Sequence, residues 1–292
     1  MIRCAYFRSR AFSLVELIVV LTIIGVAIAL AMSAVHRARA ITQRTACASN
    51  LSQIGKALHA HHDVHGSFPN NGGGPASPIP DVNGNRFIVT ASFPSYLING
   101  RYAVGDPALP LKNQAGSYAF SILPFVEQGN VFKNRAWYEG VRLYACPARR
   151  PADPQLPADD EFGTYNGGGW KWGKTDYAAN VRVIWTNPYA PSMSMLTDGA
   201  SQTILVGEKA LSPQVALSGS WFYDQPFFLG NNDGVQRTGA AVLKDAEGIS
   251  FVDNWGSAHN SGANFLFGDG SVRLLHYGIA RKEMLELLNP SG

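Results

Sequence analysis

The chain has 292 residues, of which 24 are lysine or arginine and 21 aspartate or glutamate, a formal charge of +3. Three of the basic residues, Arg3, Arg8 and Arg10, fall within the first eleven positions, so the remainder carries 21 of each sign. That balance excludes a polycationic nucleic-acid binder, and the length is enough to bury a sizeable core.

The first eleven residues are polar and their only charges are those arginines. Residues 12–32, FSLVELIVVLTIIGVAIALAM, then run apolar with a single charge, Glu16. As a helix rising ~1.5 Å per residue, this stretch matches the ~30 Å of bilayer hydrocarbon. An ionised carboxylate there costs at least ~2.5 kcal/mol on insertion scales, so a partner for Glu16 is expected. Two readings of the segment compete. A secretory signal would be cut at a small-residue site such as Ala27-Ile28-Ala29 or Ala29-Leu30-Ala31, whereas a retained anchor stays on the mature chain. A glutamate inside the run, and a run longer than the usual apolar region of roughly 7–15 residues, favour retention. Flanking charge leaves orientation open, since Arg37, Arg39 and Arg44 balance the three arginines before the run.

Ala11-Phe12-Ser13-Leu14-Val15-Glu16-Leu17 resembles the processing site of type IV prepilins and type II secretion pseudopilins. The resemblance implies cleavage before Phe12 by a membrane prepilin peptidase, N-methylation of Phe12 by the same enzyme, and an assembly role for Glu16. The chain departs from the family at Ala11, where glycine is preferred; the small alanine is compatible with slower cleavage. In an assembly, Glu16 of one subunit would meet the Phe12 amino group of a neighbour inside the membrane and set axial register. Breaking such a pair from one side costs ~3–5 kcal/mol. The plainer alternative is an anchor whose Glu16 snorkels to the interface.

No proline interrupts residues 12–65. Beyond the anchor, Cys47, Leu51, Ile54, Leu58, His61 or His62, and His65 recur at spacings of four and three, one stripe of an amphipathic helix. Gly66 followed by Pro69 supplies a stop. The rod would be ~80 Å long, with Gly25 and Gly55 as places where it would bend or loosen. His61 and His65 have the i,i+4 spacing that lets two imidazoles share a cation. Packing of these histidines on the domain is the favoured reading, and no metal or other cofactor is expected.

From Ser67 the composition turns to glycine, proline and asparagine, as in NNGGGPASPIP at residues 70–80. Residues 88–90, 118–123, 181–185, 203–206 and 221–223 are predicted strands. Asp198-Gly199, Asp233-Gly234 and Asp269-Gly270 are predicted turns, and residues 280–288 a closing helix. The fold class expected is α+β and pilin-like, a long N-terminal helix packed on a large β-rich domain. Its parts would be a cytoplasmic leader at 1–11, a transmembrane assembly helix at 12–32, an amphipathic continuation at 33–66 and the domain at 67–292.

Further blocks carry a wider resemblance. They are CASNLSQIGKALH at 47–59, His62-Asp63 with Gly66-Ser67-Phe68-Pro69, SILPFVEQ at 121–128, Ala145-Cys146-Pro147, TDYAAN at 175–180, TDGASQTILVGEK at 197–209 and HNSGANFLFGDGSV at 259–272. Together they resemble the prepilin-like proteins with domain of unknown function 1559. That family is named also for a C-terminal H-x9-D-G signature, here His259, Asp269 and Gly270. The match covers nearly the whole chain and implies architecture more than activity. With Cys4 removed in the leader, Cys47 and Cys146 remain in an extracytoplasmic domain. That even pair suggests one disulfide closing a loop of about 100 residues, for which chain entropy gives at most ~4.7 kcal/mol. Two buried free thiols are the alternative.

Within the signature, residues 264–267 and 271–275 alternate as hairpin strands around Gly268-Asp269-Gly270. His259 and Asp269 then stand at opposite ends of one strand, roughly 30 Å apart if extended, and are expected to be structural rather than a ligand pair. Residues 168–175, GGWKWGKT, satisfy G-x4-G-K-[ST] without the strand and helix a phosphate loop needs, so no nucleotide is expected. Residues 165–172 read instead as an exposed aromatic loop facing glycan or a neighbouring subunit. No G-x-S-x-G elbow or H-E-x-x-H helix occurs, and no catalytic residue is assigned.

These readings converge on a non-enzymatic, pilin-like structural subunit of a type IV pilus or type II secretion pseudopilus. It would cross the bacterial cytoplasmic membrane once, with its domain outside. Its partners would be the prepilin peptidase/N-methyltransferase, other pilin-like subunits and the membrane, and neither nucleic acid nor nucleotide. The alternatives are an anchored surface module binding glycan, and an anchored enzyme using His259 and Asp269.

Overall fold

A computed structural model describes residues 14–96, 98–189, 191–247 and 253–291. Ala11 and Phe12 lie outside the described residues. Helix α1 spans Leu14–His65. Thr22 and Ser33 donate their hydroxyls to the carbonyls of Val19 and Leu30, so neither polar group interrupts the apolar stretch. The helix stops where expected. Gly66 adopts φ +74° and its N–H donates to the His62 carbonyl at 2.7 Å, a left-handed C-cap that glycine takes without steric cost.

The chain divides into two compact units inside this helix, one up to Thr42 and one from Gln43 onward. In the first, residues 14–42 are all exposed, and α1 is long and apolar enough to cross a membrane. In the second, Cys47, Leu51, Ile54, Leu58 and His61 of the stripe read from the spacing are buried, together with Gly55 and Ala57, while His65 is half-buried. Removing Leu51, Ile54 and Leu58 from water contributes about 1.5–3 kcal/mol each.

The described residues of the second unit hold twelve strands. β1 (Ile79–Pro80) and β2 (Arg86–Phe87) pair antiparallel. β3 (Thr90–Phe93) lies between β4 (Ile98–Arg101) and β5 (Thr164–Asn166), antiparallel to both. Next come β6 (Tyr177–Asn180), β7 (Ile204–Glu208) and β8 (Gln236–Arg237), then β9 (Val242–Lys244), β10 (Trp255–Ser257), β11 (Ala263–Phe267) and β12 (Val272–Leu275). The principal sheet has the order β12-β11-β7-β6-β8, antiparallel except for β6 with β8. β9 and β10 form a separate parallel pair.

β6, β7 and β11 are buried along their whole length, because both faces of the sheet are covered. Side chains alternate between faces along a strand. Accordingly Leu266 joins the cluster containing Leu51, Ile54 and Leu58, while Phe265 and Phe267 pack with Met284 and Leu288 of the closing helix Arg281–Leu288. The β11–β12 hairpin turns at Asp269-Gly270 as predicted, with Gly270 at φ +82° and Asp269 Oδ1 accepting the Ser271 N–H at 2.9 Å.

Several predicted strands are corrected. Residues 118–123 form a helix, Tyr118–Ser121, followed by a 3-10 turn at Leu123–Val126. Ser117 caps the helix by accepting the Phe120 N–H. A wholly buried apolar run carries no periodicity to tell strand from helix. Residues 181–185 leave the sheet because the Val183 and Ile184 N–H groups both turn back to the Asn180 carbonyl. Residues 221–223 form a turn, with Tyr223 at φ +52°, which a strand does not accommodate. The strand expected at 88–90 begins at Thr90.

A buried cluster of two cysteines, a glutamate and a histidine

Four chemically capable side chains from four distant segments meet in the interior. Cys47 comes from α1, Cys146 from the loop after the 3-10 turn Arg142–Tyr144, Glu208 from the end of β7, and His259 from the segment between β10 and β11. All four are buried, and their donor atoms lie within 4.8 Å of one another. The Cys47 and Cys146 sulfurs are 2.7 Å apart. His259 Nε2 stands 3.7 Å from Cys146 Sγ and 3.2 Å from Glu208 Oε1.

Each member is held in place locally. Glu208 Oε2 accepts hydrogen bonds from the Asn264 backbone N–H at 2.6 Å and from its side-chain amide at 3.0 Å. That tie exists because β7 and β11 are sheet neighbours. The His259 N–H donates to Ser257 Oγ at 3.1 Å, and its carbonyl accepts from the Tyr277 hydroxyl. Three α1 residues on one face grip the Cys146 loop. Gln43 donates to the Pro147 carbonyl at 3.1 Å, Cys47 meets Cys146, and Asn50 donates to the Ala145 carbonyl at 3.1 Å.

Electrostatics follow from this burial. Burial pulls the His259 imidazole down, but Cys146 and Glu208 outweigh it and raise its pKa to about 9. The Cys47 sulfur, then burial, push the Cys146 thiol well above its usual range. Two sulfurs, an imidazole nitrogen and a carboxylate oxygen also make a donor set able to hold a cation.

Beside the cluster lies a buried ionic network. The Cys146 N–H donates to Asp176 Oδ2 at 2.7 Å, while Asp176 Oδ1 lies 3.1 Å from Arg149 and 2.7 Å from Arg150. Arg150, Lys174 and Lys209 surround Asp224, and Arg149 also pairs with Asp245. Burial raises the Asp176 and Asp224 carboxyls, and the surrounding cations reverse that, leaving both below the usual range. Burial also brings Lys209 down to about 7 against the pull of Asp224.

The structure separates the two ends of the H-x9-D-G signature. His259 precedes β11 and joins the cluster, whereas Asp269 and Gly270 follow β11 and make its turn, where Asp269 lies 3.7 Å from Arg273. Sequence reasoning treated His259 as structural and did not assign Glu208 or Asp176. Their one signal was position, since each sits in a block of the family resemblance.

Of the helical histidines, His61 Nδ1 bonds the Ser67 carbonyl at 2.8 Å, and the His61 and His65 rings meet at a tilt of 51° with centroids 4.6 Å apart, beside Phe125. Burial lowers the His61 pKa to about 4. The G-x4-G-K-[ST] match follows β5 but leads into β6 rather than a helix, and Lys174 is committed to Asp224. The aromatic loop at 165–172 is also corrected. Tyr165 and Trp172 are buried, and Trp172 stacks on Trp137, because the loop closes over the core instead of projecting from it. Glu16 lies in the first described turn of α1.

Comparison with known families places these features. A family described as a protein of unknown function (DUF1559) matches residues 36–282, and a prokaryotic N-terminal methylation motif matches residues 6–32. No curated protein and no solved structure matches the chain. The cluster, its ionic support and the signature hairpin all fall within the longer match, and the apolar half of α1 begins within the shorter one. The chain belongs to the DUF1559 family and carries ahead of that region the N-terminal methylation motif of prepilin-like proteins.

Proposed function

We propose that the protein is a pilin-like structural subunit, cleaved before Phe12, N-methylated there, and assembled through its N-terminal helix in a type IV pilus or type II secretion pseudopilus. The observation that carries this reading is continuity. The methylation motif at 6–32 runs into an exposed apolar helix that extends unbroken to His65. A prepilin peptidase/N-methyltransferase is then the processing partner, and neighbouring pilin-like helices are the assembly partners. Inside the membrane, Glu16 sets register by meeting the Phe12 amino group of the next subunit. The globular domain lies on the extracytoplasmic side, anchored by one span. This is a structural role, not an enzymatic one.

Mass spectrometry of the mature amino terminus tests the processing step. Methylated Phe12 is the expected product, and a start beyond Ala29 overturns the reading. Assembly is tested by in-membrane cross-linking of the full chain, where Glu16→Ala is expected to reduce oligomer ladders at least tenfold at unchanged protein level. Unchanged ladders would remove Glu16 from assembly.

A further inference from the structure

We propose that Cys47 and Cys146 become a disulfide staple, which binds α1 covalently to the domain at the first buried position of the helix. The argument begins with location. Among the described residues of α1, all those before Cys47 are exposed or half-buried, and Cys47 is wholly buried. Any load carried along the helix axis therefore first meets the packed interior at this residue. The loop it touches is the one that α1 already holds on both sides, through Gln43 to Pro147 and Asn50 to Ala145. On the far side, the Cys146 N–H hangs on Asp176, which two arginines fix. A covalent link here would pass tension from the helix to a loop that the buried ionic network holds.

The surrounding groups favour a disulfide over a bound divalent cation. With the sulfurs joined, no charge is added to the interior, and His259 Nε2 still faces Glu208 Oε1 at 3.2 Å. Two thiolates on one tetrahedral zinc at about 2.3 Å each would stand roughly 3.8 Å apart, whereas the Cys47 and Cys146 sulfurs are 2.7 Å apart. Burial of both sulfurs also shields the finished bond from external thiols, since exchange requires access by an attacking thiolate.

The bond forms by thiol–disulfide exchange with a disulfide-bearing extracytoplasmic oxidoreductase before the cluster closes. One cysteine thiolate attacks the donor disulfide, giving a mixed disulfide and releasing one donor sulfur, which takes a proton. The second cysteine, losing its proton, attacks the mixed disulfide and expels the other donor sulfur. Two protein thiols are oxidised and one donor disulfide is reduced to a dithiol. The oxidising compartment rests on the pilin-like reading above.

The test uses the full chain expressed with its leader, extracted in detergent, unfolded in guanidinium with N-ethylmaleimide present and digested without reduction. The expected result is a peptide joining Cys47 to Cys146, lighter by two hydrogens than its reduced parts, with neither cysteine labelled. Reduction should then lower the melting temperature. Cys47→Ser, Cys146→Ser and the double variant should melt alike, since each removes the same bond. Maleimide on both cysteines of protein with a methylated Phe12 overturns the staple alone, as does one equivalent of zinc released together with two free thiols. Labelled cysteines without methylated Phe12 overturn the staple and the pilin-like reading together. A joined peptide without methylated Phe12 upholds the staple and overturns only that reading.

Discussion

Gly55 of α1 lies against Leu266 of β11 so closely that a Cβ at position 55 would come 2.7 Å from Leu266 Cδ1. The glycine that reads in sequence as a weak point of the rod is instead where the helix presses on the sheet. Gly55→Leu should destabilise the domain by about 1–3 kcal/mol through overpacking, measured by denaturant unfolding in detergent. At Gly25 nothing lies within 4 Å, so Gly25→Leu should leave the same transition in place.

Asp176 carries the backbone of Cys146 on one oxygen and faces two arginines with the other. Asp176→Asn keeps the shape but leaves Arg149 and Arg150 undercompensated in the interior. A loss of about 3–5 kcal/mol is expected. Arg273→Ala, which removes the half-exposed contact with Asp269 and the guanidinium lying 4.3 Å over the Phe267 ring, should cost no more than ~2 kcal/mol. Similar losses for the two variants would mean that the buried network contributes little.

Stability should depend on pH in opposite senses on two limbs. The unfolded His61 binds a proton near 6.5, whereas in the fold burial delays this to about 4. Its contribution therefore falls as pH drops from 6.5 towards 4. His259 behaves in reverse. Its folded value of about 9, held up by Cys146 and Glu208 while the thiols are unjoined, exceeds 6.5, so in the reduced protein its contribution is complete below 6.5 and is lost as pH rises through 9. His61→Gln should flatten the acid limb of a melting-temperature profile and His259→Gln the alkaline limb. Asp176 and Asp224, with lowered carboxyls, lose their contribution only as pH falls below the usual carboxylate value of 3.8.

Trp172 is wholly buried, stacked on Trp137 and bonded through its indole N–H to the Gly167 carbonyl. Trp172→Ala should cost about 3–5 kcal/mol by calorimetry or chemical denaturation. Trp170, stacked on the exposed Tyr138, is half-buried, and Trp170→Ala should cost distinctly less. Equal costs would count against the loop acting as a lid on the core.

The residues whose structure rests on near neighbours were legible from the chain alone. The apolar run with Glu16, the absence of proline up to His65, the Gly66 stop, the Asp269-Gly270 turn and the closing helix each follow from composition or spacing within a few residues. Runs such as 118–123 were not legible, because a segment buried on every side has no polar face to mark its period. The cluster of Cys47, Cys146, Glu208 and His259 was beyond any local rule. Its members come from a helix, a loop, a strand end and an inter-strand segment, and only the docking of α1 on β11 and the pairing of β7 with β11 bring them together. Local preference and hydrophobic period act over a turn or a strand, whereas that meeting depends on how whole elements pack.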